Sequence, residues 1–172
     1  MLNIQFKDEE YEFSSIEEAD LDILSEWIKN NNDNDNTCYS LDHQIFYRRF
    51  LEYYMTDSES FIKVCKEDKI VAVFKGRLEL EKKRELFIWL FVMDKSLRNK
   101  GIGTKIINSI MKYFKEDYAI EYVEAGVVED NSNGIKFWNS LNFNIERTVD
   151  NFFDDGNGKE RNLVIMKKEN NL

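Results

Sequence analysis

The sequence predicts an α/β fold of the mixed α+β kind, one sheet with helices on its faces. Three observations predict it. Residues 86–93, L-F-I-W-L-F-V-M, form an unbroken apolar run of strand length, as expected for a strand buried on both faces. The charged runs K-E-D-K (66–69) and E-K-K-R (81–84) separate apolar stretches and read as hairpin turns. Apolar residues at helical spacing recur before and after this block of strands. The expected order is β-α-α-β-β-β-α-β-α-β-β. A chain of 172 residues with 42% hydrophobic residues fits one domain, 1–172, with a core over about 11–167.

Taken in order, residues 11–13 read as a short first strand. Ser14 and Ser15 precede Glu17 and Glu18 by three residues, two overlapping capping boxes that start a helix over 16–29. Ile23, Leu24, Trp27 and Ile28 would form its apolar face. The run N-N-N-D-N-D-N (30–36) is a loop, and it lacks the glycine and distal glutamate of a calcium-binding EF-hand. Ser40 caps a second helix to about residue 55, apolar at Leu41, Ile45, Phe46, Phe50 and Tyr54. His43, the sole histidine, has no second histidine with which to hold a metal and reads as a surface or capping residue. Strands follow at 61–65, 70–80 and 86–93, then a helix to about 115. Residues 122–128 form a strand and 132–141 a short helix. Strands at 144–152 and 162–166 flank D-D-G-N-G, a hairpin signal. The polar tail after Lys167 is expected to fray.

Composition excludes several function classes. The net charge is −9; residues 1–36 hold eleven acids against two bases, and the remainder balances at 22 of each. That pattern lacks the basic face of a nucleic-acid binder. No apolar run approaches the roughly 20 residues of a membrane span, and no secretory leader is visible at the start. Cys38 and Cys65 suggest neither a disulfide framework nor a zinc site. A cytoplasmic protein without a metal is the expectation.

The stretch after the central strand carries the chemistry. Arg98, Asn99, Lys100, Gly101, Ile102, Gly103 and Thr104 connect it to a helix whose apolar face is Ile102, Ile106, Ile107, Ile110, Met111 and Phe114. A strand, a glycine loop and a helix N-terminus make an anion cradle, since the first-turn N–H groups and the helix dipole face the loop. Arg98 and Lys100 add full charges. A P-loop is excluded because no Lys-Ser or Lys-Thr pair follows the second glycine, and a dinucleotide fingerprint because position 106 is Ile.

Arg98-Asn99-Lys100-Gly101-Ile102-Gly103 resembles the [Q/R]-x-x-G-x-[G/A] loop of GNAT-type N-acetyltransferases. Downstream, Val127, Asn131, Gly134, Phe137-Trp138 and Asn142-Phe143 resemble that family's second motif, V-x-x-x-N-x-x-A-x-x-F-Y-x-x-x-G-F. The element order from 11 to 167 is similar to the GNAT fold, a mostly antiparallel sheet splayed at its parallel pair, 86–93 and 122–128. The resemblance implies acetyl-CoA as cosubstrate, with its pyrophosphate on the backbone of residues 98–104. It implies that the backbone of Leu90, Phe91 and Val92 pairs with the pantetheine arm, an N–H of Phe91 or Val92 polarising the thioester carbonyl. Asn131 would bind the CoA arm, cap the following helix, or both. Trp138 stands where the family commonly has a tyrosine that protonates the leaving thiolate; an indole donates a hydrogen bond but is no ordinary acid. Glu79 and Glu85, near the ends of adjacent strands, are candidate general bases. The acidic helix of residues 17–26 would flank the acceptor entrance.

The resemblance thus implies transfer of acetyl to a primary amine by direct attack. The acidic N-terminal third favours a small cationic amine such as a polyamine or amino sugar; a protein amine is equally open. The alternative is a noncatalytic acyl-CoA-binding module, suggested by Trp138. A monomer and a homodimer are both compatible.

Overall fold

The structure is a computed structural model that describes residues 1–31, 43–154 and 160–171. The Asn/Asp run beyond Asn31, Cys38, Tyr39, the Ser40 cap, Leu41, the D-D-G-N-G turn and the side chains of His43 and Ile45 lie outside the described residues. The chain runs β1 (Gln5–Asp8), β2 (Tyr11–Ser15), α1 (Leu21–Asn31), α2 (His43–Met55), β3 (Glu59–Lys66), β4 (Lys69–Glu79) and β5 (Glu85–Met93). It continues with α3 (Ile102–Tyr118), β6 (Tyr122–Val128), α4 (Ser132–Ser140), β7 (Asn144–Asp154) and β8 (Glu160–Glu169). One sheet takes all eight strands in the order β1-β2-β3-β4-β5-β6-β8-β7. Every neighbouring pair is antiparallel except β5 and β6. The mixed sheet and the expected helix order are both present.

The N-terminus differs from the sequence reading. An extra strand, β1, precedes the expected first one and turns back at Glu9, whose φ is 50°. It is held by Phe6 stacked on Phe13 at 4.3 Å between ring centroids. Ser14 and Ser15 do not cap a helix; they remain in β2. Ser15 Oγ accepts from the Ile4 N–H at 2.8 Å and donates to the Leu2 carbonyl. The Ile16 N–H is taken by the Phe61 carbonyl of β3, which delays the helix. The capping box forms instead between Glu17 and Asp20, ahead of a 3-10 turn that leads into α1.

The helices bury their apolar stripes on opposite faces. Leu24 and Ile28 of α1 and Phe46, Phe50 and Tyr53 of α2 pack on Phe61 and Val73. Ile106, Ile110 and Phe114 of α3 pack with Phe74, Ile88, Val123 and Trp138 on the other side. Truncating a buried phenylalanine such as Phe114 to alanine is worth about 3–5 kcal/mol. Ile23 and Tyr54, expected on the buried faces, are exposed, because Leu21, Leu24, Ser25 and Ile28 in α1 and Tyr53 in α2 occupy the inward positions. No helix among the described residues is long and apolar enough to cross a membrane.

The tail does not fray after Lys167. β8 continues to Glu169, and Asn170 is buried with its amide donating to the Met111 carbonyl at 3.0 Å and the Ile120 carbonyl at 3.3 Å. It thereby fastens α3 to the chain that enters β6. Asn170→Ala should lower stability by about 1–3 kcal/mol, because two buried carbonyls lose their donor. Urea denaturation would show this as a lower midpoint at unchanged m-value.

Candidate functional site

The site is built where β5 leaves β6. The two strands pair only from Glu85–Tyr122 to Ile88–Ala125, although β5 continues to Met93. On its other side β5 stays paired to β4 but shifts register: Gly76 faces Ile88 and Lys75 faces Leu90, so Trp89 is an extra, bulged residue. A bulge increases local twist and bends the strand. Beyond it, the edge of β5 that faced β6 has no strand partner among the described residues. Leu90 then lies toward the α1/α2 core and Phe91 toward α4, with ring-centroid distances of 5.8 Å to Phe137 and 6.4 Å to Trp138. Val92 is buried.

The loop after β5 opens onto this gap. Asp94 Oδ1 accepts from the N–H and hydroxyl of Ser96 and starts a 3-10 turn. Asn99 and Gly101 both have positive φ, 59° and 76°. Gly101 is the N-cap of α3 and supplies no side-chain cap; a Cβ there would meet nothing within 4 Å. The first turn of α3 carries no acid, so no carboxylate offsets the helix dipole there. Ile102 and Thr104 are half-buried and Gly103 is buried against Phe137 and Met93. Lys100 is exposed. Arg98 is placed differently from a charge aimed at a ligand: its guanidinium donates to the Met93 carbonyl and to the Asn31 carbonyl at the end of α1.

Across the gap, Asn131 caps α4, its Oδ1 accepting from the Gly134 N–H at 2.8 Å. A Cβ on residue 134 would lie 2.6 Å from Asn131 Nδ2, so glycine permits this cap. Trp138 is 6% exposed and packs edge-on against Phe137 and Phe143.

On the α1/α2 face, beside the bulge, lies a cavity of about 210 Å³. Glu52, Glu59, Lys75, Arg77, Trp89 and Leu90 are among its walls, and Arg49 and Phe152 complete them. Lys75 is 4% exposed, 2.7 Å from Glu59 Oε2 and 3.5 Å from Glu52 Oε2. Glu59 Oε2, although close to that ammonium, is buried and accepts no aligned hydrogen bond. Burial alone would raise the Glu52 carboxyl, but Arg49 and Lys75 outweigh it and hold it below its ordinary value. Sequence reasoning missed this cluster. Its signal was there: Lys75, Arg77 and Glu79 recur at every second position of a strand otherwise buried, a charged stripe on one face.

Residues 13–160 match the acetyltransferase (GNAT) domain family. The chain belongs to the GNAT acetyltransferase family. L-2,4-diaminobutyric acid acetyltransferase of Virgibacillus pantothenticus is 31% identical over 74 residues, 43% of this chain and 46% of that protein. The match therefore spans about half the length of that relative. The fold is shared with spermidine N-acetyltransferase from Vibrio cholerae, solved with CoA and spermine, at a TM-score of 0.76 and 13% identity, covering 95% of this chain and 97% of that one. It is shared also with the ribosomal-protein-S18-alanine N-acetyltransferase from Escherichia coli, at a TM-score of 0.70 and 15% identity, covering 94% and 95%.

In this GNAT domain Glu79 and Glu85 pair in register at the end of the β4/β5 ladder remote from the bulge. Four residues of strand, about 13 Å, separate Glu85 from Trp89. Glu79 is exposed. Glu85 is buried and lies 2.7 Å from Lys167 Nζ, which also reaches Glu124 at 3.2 Å. Burial would raise the Glu124 carboxyl, but its hydrogen bonds with Glu146 and Lys167 outweigh that and hold it below 4.5. Burial opposes the charge on Lys167, yet Glu85 and Glu124 raise its pKa above 10.5. The Glu124 contribution to stability is present above pH 4.5 and is lost as pH falls through its lowered folded value; that of Lys167 is lost as pH rises through its raised one. Lys167→Met should therefore cost about 3–5 kcal/mol at neutral pH, because it takes the cation from buried Glu85 and leaves Glu124 only Arg147 at 3.6 Å. The gap to wild type in melting temperature should narrow in acid, as Glu124 takes up a proton.

Proposed function

We propose that the protein is an acetyl-CoA-dependent N-acetyltransferase whose acceptor is a primary amine held in the cavity beside Trp89. One observation carries the reading: a single departure of β5 from its neighbour opens an unpaired strand edge and adjoins an acceptor-sized cavity, with an uncapped helix N-terminus in the loop that follows. The backbone N–H groups of Ile102, Gly103 and Thr104, with Lys100 nearby, suit a pyrophosphate. Open space over Gly101 lets such a group approach. The backbone of Leu90, Phe91 and Val92 suits the amide-rich pantetheine arm. Asn131 spends Oδ1 on its cap and keeps Nδ2 for the same arm, while Trp138 supports Phe91 from behind.

Acetyl-CoA supplies an acetyl group as a thioester. The balanced conversion is R–NH₃⁺ plus acetyl-S-CoA to R–NH–CO–CH₃, HS-CoA and H⁺. The N–C bond forms as the C–S bond breaks. One proton of the ammonium must leave before attack. Glu59 is the better supported base than Glu79 or Glu85, because it lines the cavity whereas they stand at the far end of the β4/β5 ladder. The thiolate needs no dedicated acid near neutral pH, since a thiol of pKa about 8.5 leaves readily. Trp138 in place of a tyrosine is then compatible with turnover. A noncatalytic acyl-CoA-binding role draws on the same Trp138.

Acetyl-CoA at 100 times its Kd should add about 2.7 kcal/mol of stability, read as a raised melting temperature. Gly101→Glu should remove that shift at a cost of about 1–2 kcal/mol to the fold, because the new side chain points into open space but forces a left-handed backbone on a non-glycine residue. A wild-type ligand shift in this variant would refute the loop assignment. Free-thiol release with an amine panel separates catalysis from binding alone: release dependent on amine is expected, and a shift without release for any amine would favour the noncatalytic role.

A further inference from the structure

We infer that the acceptor carries a carboxylate beside its amine, a small amino acid or similar zwitterion, with Arg77 receiving the carboxylate and Glu59 the ammonium. The inference rests on the acetyltransferase reading above and names the substrate class of that same cavity. Charge is the first reason. Among the described residues the walls hold three cations, Arg49, Lys75 and Arg77, against two carboxylates, Glu52 and Glu59. Lys75 lies between both carboxylates, and Arg49 engages Glu52 at 2.8 Å. Arg77 is left over: it is exposed and forms no ion pair among the described residues. A polyamine would add cations to a cationic wall, whereas a carboxylate would neutralise it through a charge-assisted, two-pronged contact.

Geometry is the second reason. Glu59 and Arg77 face each other across the β3/β4 ladder. Facing residues have Cβ atoms about 4.5–5.5 Å apart, so the two poles fall within the span of one small molecule. Glu59 is 8% exposed, and its Oε2 accepts no aligned hydrogen bond. Its carboxylate stands in the cavity wall beside Lys75, where it offers the negative pole for an ammonium. Size is the third reason. About 210 Å³ is below the roughly 300–1,000 Å³ of pockets for drug-sized ligands, which suits an amino acid better than a long polyamine.

The test uses pairs that differ only by a carboxylate: 2,3-diaminopropionate and ethylenediamine, ornithine and putrescine, lysine and cadaverine. Thiol release from acetyl-CoA gives kcat/KM for each. For at least one pair the carboxylated member should be favoured roughly 10- to 100-fold, the value of a charge-assisted contact. Arg77→Gln should bring that ratio toward one and Arg77→Lys should retain part of it. A merely structural role for Arg77 would lower both members together and leave the ratio unchanged, which would overturn the inference. So would a ratio at or below one in every pair, or no turnover of any member. In that last case an acetyl-CoA melting shift in the same sample tells whether the acetyltransferase reading survives: its presence leaves that reading standing, and its absence removes both.

Discussion

Much of this molecule depends on four residues of parallel pairing. β5 and β6 are held together only over Glu85–Ile88 and then separate, because a bulge at Trp89 twists β5 away while its other edge stays bound to β4. A parallel pair cannot be closed by a hairpin and needs a crossover, here α3, so the helix N-terminus comes immediately after the splayed strand end. The same geometry sends Leu90 and Phe91 to opposite faces. Phe91 meets Phe137 and Trp138, whereas Leu90 borders the cavity. A register shift in one strand thus creates both halves of the candidate site, and the aromatic cluster around Trp138 packs the opened strand against α4.

The polar contacts around the loop tie the two faces of the sheet together. Arg98 donates to carbonyls on β5 and at the end of α1, and Asn31 Oδ1 accepts from the Lys95 N–H at 2.9 Å. The helix layer that walls the cavity is therefore fastened to the segment leading into α3. A guanidinium suits this task because its planar fork spans carbonyls that an ammonium cannot reach together. Arg98 is thereby committed to the Met93 and Asn31 carbonyls.

Part of the acidity of the N-terminal third is taken up by ion pairs within the fold. Asp20 pairs with Lys63, Glu10 with Lys66, Glu9 with Lys105 and Glu12 with Lys7. These acids answer bases of β1, β3 and α3. The net charge of a segment says nothing about which way its side chains turn; the cavity walls among the described residues hold Arg49, Lys75 and Arg77 with Glu52 and Glu59.

The fold class, the parallel pair, the glycine loop and the Asn131 helix start were legible in the sequence because each is a local signal. An apolar run of strand length, a glycine at a left-handed position and an asparagine ahead of a helix act over a few residues. What the sequence left open depended on pairing between distant segments. Ser15 reads as a cap by its spacing, but Ile4 and Leu2 claim its hydroxyl and Phe61 claims the next N–H. Asn170 reads as a polar tail until two carbonyls of another element accept its amide. Lys75 and Arg77 share one face of β4 by their alternation, but only the β3/β4 register brings Glu59 to the same wall and only the bulge at Trp89 brings that residue beside it. Composition and local pattern determined which elements form and where a glycine loop meets a helix N-terminus; the long-range register, which no local pattern encodes, decided which charges line the cavity.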